Sequence, residues 1–189
     1  MITVVDYGAG NLFSLTNALE ILGFKFEIVD RAFNGVEKII LPGVVHFASM
    51  MQSLETRNLV ESIKYSANIG VPFLGICLGM QALFESSEEA PGVIGLSLLE
   101  GKVVRLPENS RVPHMGWNEV TFEDGGKNWF YFANSYVVLE SRNTWGNADH
   151  DGEFVAAVKR ENLTGVQFHP EKSGQAGLDL LEKWCRSAS

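Results

Sequence analysis

The sequence predicts an α/β protein with a central, mostly parallel sheet, helices on both faces and a smaller antiparallel portion. In the first half of the chain, short apolar runs alternate with amphipathic helical segments, as in parallel α/β sheets. In the second half the pattern changes to short β segments separated by turns. The chain has 189 residues, of which 46% are hydrophobic, so we expect one domain over residues 1–189 with a sizeable core.

The predicted elements follow in order along the chain. The first half should contain the strands Ile2–Asp6, Phe26–Val29, Lys38–Leu41 and Val71–Ile76 and the helices Leu12–Leu22 and Leu59–Ala67. The first of these helices stops at Gly23, a residue typical of the position after a helix. The second half should contain the strands Lys102–Leu106, Glu119–Phe122, Phe130–Ala133, Tyr136–Leu139, Phe154–Val158 and Thr164–Phe168, and a final helix over Ser173–Cys185.

Composition excludes several classes of function. The 15 basic and 23 acidic residues give a net charge of −8, which disfavours binding to nucleic acid or to an anionic membrane. The start of the chain is typical of a strand rather than a signal peptide, and no apolar run reaches membrane-spanning length. The two cysteines, Cys77 and Cys185, lie far apart, which favours a reduced, cytoplasmic protein.

A candidate nucleophile lies between a predicted strand and a helix. In Gly75–Gly79 the pattern is glycine, any residue, cysteine, any residue, glycine, as in a nucleophile elbow. A helix beginning after Cys77 would favour its thiolate, and the amide of Leu78 would point at an oxyanion. By itself the motif equally fits a small buried cysteine between two packing glycines.

A candidate base follows a late strand. His169 and Glu171 lie two residues apart, so an extended segment would place both side chains on one side. A thiol needs a base to take its proton, and an imidazole needs an acceptor to fix its tautomer. Pro170 stiffens the backbone between them. A lone histidine at a strand end is more often structural, but the cysteine motif makes a catalytic role the better interpretation.

Other binding motifs are not matched. Gly8–Gly10 follows the first strand, but the dinucleotide-binding pattern requires glycine where this chain has Phe13. There is no phosphate-binding loop of the P-loop type, and His46, His114 and His150 have no metal-ligand spacing. We therefore expect neither a cofactor nor a metal ion.

The two candidate motifs carry a family resemblance. Gly75–Gln81 and Gly165–Ser173 resemble the signatures of class I glutamine amidotransferases, the triad glutaminases. Four further stretches resemble a branch of that family, the glutaminase subunits of imidazole glycerol phosphate synthases: Asp6–Asn11, Phe84–Glu89, Pro113–Asn118 and Phe130–Phe132. The resemblance implies a flavodoxin-like, three-layer fold.

The resemblance also implies a reaction. Cys77, His169 and Glu171 would form a triad that hydrolyses L-glutamine to glutamate and ammonia. The amide of Leu78 and a peptide flip in Gly43–Val44 would form the oxyanion hole. The ammonia would pass to a (β/α)8-barrel synthase in a heterodimer. That partner would form imidazole glycerol phosphate and aminoimidazole carboxamide ribotide in histidine biosynthesis.

The resemblance assigns further residues to two surfaces. Those expected to bind the substrate are Gln81, Glu85, Asn134, Ser135 and Tyr136. Those expected at the partner interface, near the ammonia gate, are Asn11, His114, Trp117, Tyr131 and Lys172. Gln81 and Glu85, four residues apart on a predicted helix, would alternatively form a simple pair on its surface.

The chain departs from the family pattern at two positions. Val45 stands where a glycine is usual, and a β-branched residue resists a positive φ, so we expect the flip to be harder. Asn134 stands where histidine is usual, and it tolerates a tight turn. Two alternatives stay open: a related glutaminase that feeds another acceptor, such as a sugar amidotransferase, and a partner-binding scaffold with impaired turnover.

Overall fold

A computed structural model describes residues 1–8, 12–107 and 110–187 of the chain. The strands are β1 (Ile2–Val5), β2 (Phe26–Val29), β3 (Lys38–Leu41), β4 (Phe73–Ile76), β5 (Ser86–Ser87), β6 (Lys102–Arg105), β7 (His114–Phe122), β8 (Lys127–Asn134), β9 (Tyr136–Val137), β10 (Thr144–Asp149), β11 (Glu153–Arg160) and β12 (Leu163–Val166). The helices are α1 (Phe13–Ile21), α2 (Phe47–Thr56), α3 (Leu59–Asn68), α4 (Leu78–Gln81) and α5 (Gly174–Arg186), and Pro170–Lys172 forms a 3-10 turn.

A large mixed sheet organises the described part of the chain. Its nine strands lie in the order β2-β1-β3-β4-β12-β11-β10-β7-β8. The strands from β2 to β12 pair in parallel, and the four strands beyond β12 continue the sheet with antiparallel pairing. A small separate sheet has the order β5-β6-β9. The predicted α/β class, with a parallel centre and an antiparallel extension, is confirmed.

Two hydrophobic clusters cover the two faces of the sheet. In β3, Ile39 and Leu41 belong to the cluster that contains α2 and α3 residues, whereas Ile40 belongs to the cluster that contains α1 and α5 residues. This division follows the alternation of side chains along a strand. Helices therefore lie on both faces, and the three-layer arrangement predicted from the family resemblance is present.

Several elements differ from what the sequence predicts, and α2 and β10 are two that it does not predict at all. The helix α2 is not predicted, although His46 caps it by accepting a hydrogen bond from the Ala48 amide at 3.2 Å. The strand β10 contains Gly146 and Asn147, which disfavour a strand, and it forms because it is held between β11 and β7. Tertiary pairing thus overrides local propensity in β10.

The helix after Cys77 is shorter than the sequence predicts. It ends after one turn at Gln81, because the following carbonyl groups accept hydrogen bonds from a loop rather than from the next helical turn. The Ala82 carbonyl accepts from the Leu96 amide at 2.7 Å, and the Leu83 carbonyl accepts from the Leu98 amide at 2.8 Å. Across the described residues, no helix has both the length and the apolar character needed to cross a membrane.

Candidate active site

The carboxyl ends of β4 and β12 bring the two sequence motifs together. These strands are parallel neighbours, with Ile76 opposite Val166. Immediately after them, the Cys77 amide donates to the Val166 carbonyl at 2.7 Å. Cys77 and the segment from residue 167 to 171 therefore leave the same edge of the sheet side by side, as residues following adjacent parallel strands do.

Cys77 lies on a sharp turn. Its φ of 53° and ψ of −111° are unusual for a residue with a side chain, and such strain is typical of functional sites. The turn needs both glycines: a Cβ at Gly79 would lie 1.8 Å from the Leu41 oxygen, and one at Gly75 would lie 2.5 Å from the Gly79 oxygen. The elbow predicted from the sequence is present, but only one helical turn follows it.

His169 and Glu171 form a buried pair. The Nδ1 atom of His169 lies 2.8 Å from Oε1 of Glu171, and the side chains are only 3% and 8% exposed. The pair forms through a 3-10 turn that begins at Pro170 rather than through the extended segment predicted from the sequence. Burial lowers the pKa of His169, but the charges and hydrogen bonds of Cys77 and Glu171 outweigh it and raise the pKa to about 10. This environment favours the imidazolium form of His169.

Gln167 is a site residue that the sequence reasoning did not single out. It is fully buried, and its Nε2 atom donates towards the Cys77 sulfur at 3.6 Å. Its Oε1 atom accepts from Nε2 of Gln81 at 2.9 Å, and the same Gln81 atom donates to the Tyr136 carbonyl at 3.0 Å. A polar residue two positions before His169, within the predicted apolar strand Thr164–Phe168, was the available signal.

A cavity of about 310 Å³ opens beside Cys77, large enough for a small polar ligand. Its lining residues are Val44, Val45, Cys77, Leu78, Gln81, Glu89, Pro113, Ala133, Asn134, Ser135, Tyr136, His169 and Lys172. The structure thus brings the candidate nucleophile, the base and most of the residues expected to bind substrate to one cavity.

Glu85 is not brought to this cavity. Because α4 ends at Gln81, Glu85 no longer follows it on a helical face, and its exposed carboxylate accepts from the Gly101 amide at 2.9 Å. Glu89 lines the cavity instead, and its Oε2 atom accepts from the Phe47 amide at 2.8 Å. Glu85 therefore lies away from the cavity in this structure, and Glu89 places a carboxylate on the cavity wall.

The segment expected to complete an oxyanion hole packs on the elbow. A Cβ at Gly43 would lie 2.6 Å from the Leu78 Cβ atom and 2.9 Å from the Gly79 nitrogen. The neighbouring Val44 and Val45 line the cavity. Neither has a positive φ in this structure. The glycine at position 43 is explained by close approach of the backbone rather than by an unusual φ.

The residues expected at the partner interface fall into two groups. Trp117 is 54% exposed and meets Tyr131 edge to face at 6.3 Å between ring centroids, and Lys172 lines the cavity. His114 is buried: its ring stacks on His150 at 4.0 Å. Asn11 lies outside the described residues.

His114, which the family resemblance places at the partner interface, is buried in this structure. Its β7 position faces inwards, and its ring also stacks on Phe132 at 4.7 Å. Burial, followed by the charge of His150, lowers the pKa of His114 to about 4. No group of three His, Cys, Asp or Glu side chains in the described ranges could hold a metal ion.

The chain is similar to known proteins over nearly its whole length. Residues 3–187 match the family model "Glutamine amidotransferase class-I". The "Imidazole glycerol phosphate synthase subunit HisH" of Moorella thermoacetica is 44% identical, covering 97% of this chain and 93% of that protein. The protein of the same name from Thermococcus kodakarensis is 46% identical, covering 98% and 100%.

Solved structures share the fold at lower sequence identity. One described as a glutamine amidotransferase superposes with a TM-score of 0.80 at 18% identity, covering 96% of this chain and 97% of that one. The structure described as PurLQS from Thermotoga maritima has a TM-score of 0.76 at 21% identity, covering 97% and 96%.

Proposed function

The chain belongs to the class I glutamine amidotransferases, and we propose that it is the glutaminase subunit of an imidazole glycerol phosphate synthase. The observation that carries this proposal is the position of Cys77, on a strained elbow, beside the buried His169–Glu171 pair. The similarity of this chain to the HisH subunits, over nearly the full length of both, supports the choice of branch within the family.

In the proposed reaction, the Cys77 thiolate attacks the carbon of the glutamine side-chain amide. The carbon–nitrogen bond then breaks as the His169 imidazolium returns a proton to the leaving ammonia. Water, deprotonated by His169, hydrolyses the resulting thioester and releases glutamate. Glu171 holds the imidazole and offsets its charge, which agrees with the raised pKa of His169.

The amide of Leu78 and a turned peptide at Gly43–Val44 would stabilise the tetrahedral oxyanion. The loss of one such donor lowers kcat by about 10²–10³-fold in characterised enzymes. In this structure the Gly43–Val44 segment packs directly on the elbow, so a small local change would reach the reacting atoms. Val45 would resist that change if it required a positive φ.

The substrate would lie in the cavity of about 310 Å³. We propose that the segment Asn134–Tyr136 and Gln81 bind its polar groups, since all of them line this cavity. Glu89, rather than Glu85, would accept a hydrogen bond from the α-ammonium group of glutamine, because it presents the carboxylate on that wall.

The ammonia would pass to a partner barrel subunit in a heterodimer that carries out the synthase reaction. Trp117, Tyr131 and Lys172 would lie at that interface, since Trp117 is exposed, the half-buried Tyr131 meets Trp117 edge to face, and Lys172 lines the cavity. Free ammonia is protonated in neutral water and then no longer nucleophilic, so a closed route to the acceptor makes chemical sense. We place the complex in the cytoplasm and treat residues 1–189 as one domain.

One assay tests the proposal. The chain would be combined with the barrel synthase encoded by the same organism, and glutamate release would be measured with and without the synthase and its ribotide substrate. We expect slow hydrolysis by the chain alone and a rise of about 10²-fold or more in the complex, since the oxyanion hole is completed there. If this chain formed no complex with that synthase but supplied ammonia to another acceptor enzyme, the assignment would be contradicted.

A further inference from the structure

A buried tyrosine lies behind the proposed triad with an unused hydroxyl group. Tyr7 follows β1, is only 2% exposed, and its hydroxyl has no hydrogen-bond partner in the described part of the chain. The Val44 backbone amide acts on the phenol oxygen as a donor and lowers its pKa, so it leaves the phenol proton itself without an acceptor. Buried hydroxyl groups without a partner are rare in folded proteins, so this one needs an explanation.

Glu171 has a matching unused atom. Its Oε1 atom is paired with His169, whereas its buried Oε2 atom has no hydrogen-bond partner among the residues that the structure describes. An ionised carboxylate has no proton and can only accept hydrogen bonds, whereas a phenol can donate one. Tyr7 and Glu171 therefore present one unpaired donor and one unpaired acceptor.

The two side chains line the same small cavity. Its volume is about 10 Å³, which is roughly the space that one water molecule requires. Its wall also includes Gly43 and Val44 from the oxyanion segment, and His169. A buried water needs two or more polar partners, and this cavity supplies them.

We propose that Tyr7 is a positioning residue of the triad, whose hydroxyl donates through one water molecule in this cavity to Oε2 of Glu171. The bridge fixes the carboxylate so that Oε1 stays aligned with Nδ1 of His169. The inference rests on the proposed catalytic role of Glu171. It adds a second residue, Tyr7, which lies more than 160 positions from Glu171 in sequence and orients its carboxylate.

The protonation state of Tyr7 suits this role. Burial raises the pKa of Tyr7 to about 12, against the smaller lowering effect of the Val44 amide. The phenol therefore keeps its proton over the neutral range and remains a donor. Among the described residues, no Lys or Arg side chain lines this cavity. None therefore competes there with Tyr7 for the carboxylate of Glu171.

The test compares Tyr7→Phe with Tyr65→Phe, which removes the hydroxyl of a tyrosine on the exposed side of α3. Both variants would be assayed in the complete heterodimer with its ribotide. For Tyr7→Phe we expect kcat to fall about three- to tenfold with KM nearly unchanged, since one hydrogen bond to the acid is lost. The acid limb of the kcat profile should move to higher pH, because a carboxylate with one donor fewer is protonated more readily.

A double-variant cycle makes the test specific. If Tyr7 acts through Glu171, the loss in the pair Tyr7→Phe, Glu171→Gln should equal the loss in Glu171→Gln alone. Losses that multiply, or an unchanged kcat and pH profile in Tyr7→Phe, would overturn the inference while leaving the triad intact. Full activity of Glu171→Gln would instead overturn the proposed triad and this inference with it.

Discussion

The side-chain nitrogen of Gln167 lies 3.6 Å from the sulfur of Cys77, while its side-chain oxygen accepts a hydrogen bond from Gln81 at 2.9 Å. A single buried amide therefore connects the proposed nucleophile to a residue on the wall of the substrate cavity. An amide donor directed at sulfur stabilises a thiolate more than a thiol. Gln81, held by Gln167 and by the Tyr136 carbonyl, is fixed before a substrate arrives.

The first prediction concerns this connection. Gln167→Met keeps the approximate volume but removes the donor to sulfur and the acceptor for Gln81. We expect kcat/KM for glutamine to fall by about tenfold or more, since two buried hydrogen bonds are lost near the reacting atoms. The rate of Cys77 alkylation by iodoacetamide at pH 8 should fall with it. Gln52→Met, on the exposed side of α2, is the matched control. Unchanged alkylation in Gln167→Met would show that the amide does not act on the sulfur.

A second prediction concerns acid stability. The pKa of His114 is lowered to about 4, so between pH 6.5 and 4 the unfolded chain binds a proton there that the folded chain does not. The stability contributed by neutral His114 is therefore present above pH 6.5 and is lost as the pH falls through this window. His114→Phe keeps a stacked ring and removes the titration. From pH 7 to pH 5 the wild type should lose roughly 1–2 kcal/mol more of its free energy of unfolding than His114→Phe loses.

Urea denaturation at the two pH values measures this difference. His46→Asn is the control, because asparagine retains an acceptor at the start of α2 and the substitution also removes one histidine. If His114→Phe and wild type lose stability equally on acidification, buried His114 is not the acid-sensitive group.

A third prediction concerns Val45. If the Gly43–Val44 peptide must turn inwards through a positive φ at this position, valine penalises the active state by roughly 1–3 kcal/mol. Val45→Gly should then raise glutamate release, by about fivefold or more, most clearly without the ribotide, when the active population is smallest. The same variant should lower the thermal stability slightly, because glycine has more freedom in the unfolded chain. An unchanged rate without ribotide would mean that no positive φ is required.

Residues whose roles depend on neighbours in sequence were predictable here. Cys77 between two glycines forms the sharp turn that its motif predicts, and parallel pairing of β4 and β12 brings it together with His169, although a 3-10 turn rather than an extended segment follows His169. Tyr7 and Gln167 were not singled out, because their importance arises across the fold: Tyr7 lines a small cavity with Glu171, and Gln167 donates towards the Cys77 sulfur.

Two differences between the sequence-based expectations and the structure have a related cause. The alternative pairing of Glu85 with Gln81 on a helical face does not form, because the loop over residues 95–99 donates hydrogen bonds to the carbonyl groups that would have continued that helix. His114 was placed on a surface, but in β7 its side chain points to the buried face and stacks on other rings. In both cases the deciding contact comes from a segment distant in sequence, which a local pattern does not contain.

The most direct test of the central claim is a comparison of two activities in one heterodimer that carries Cys77→Ala. Synthase turnover would be measured once with glutamine and once with ammonium chloride at pH 8.5 as the nitrogen source. Because the variant lacks only the proposed nucleophile, glutamine-dependent turnover should fall to background while ammonium-dependent turnover stays within about twofold of wild type. Glutamine-dependent turnover that persists at the wild-type rate would contradict the assignment of Cys77 as the nucleophile that releases ammonia from glutamine.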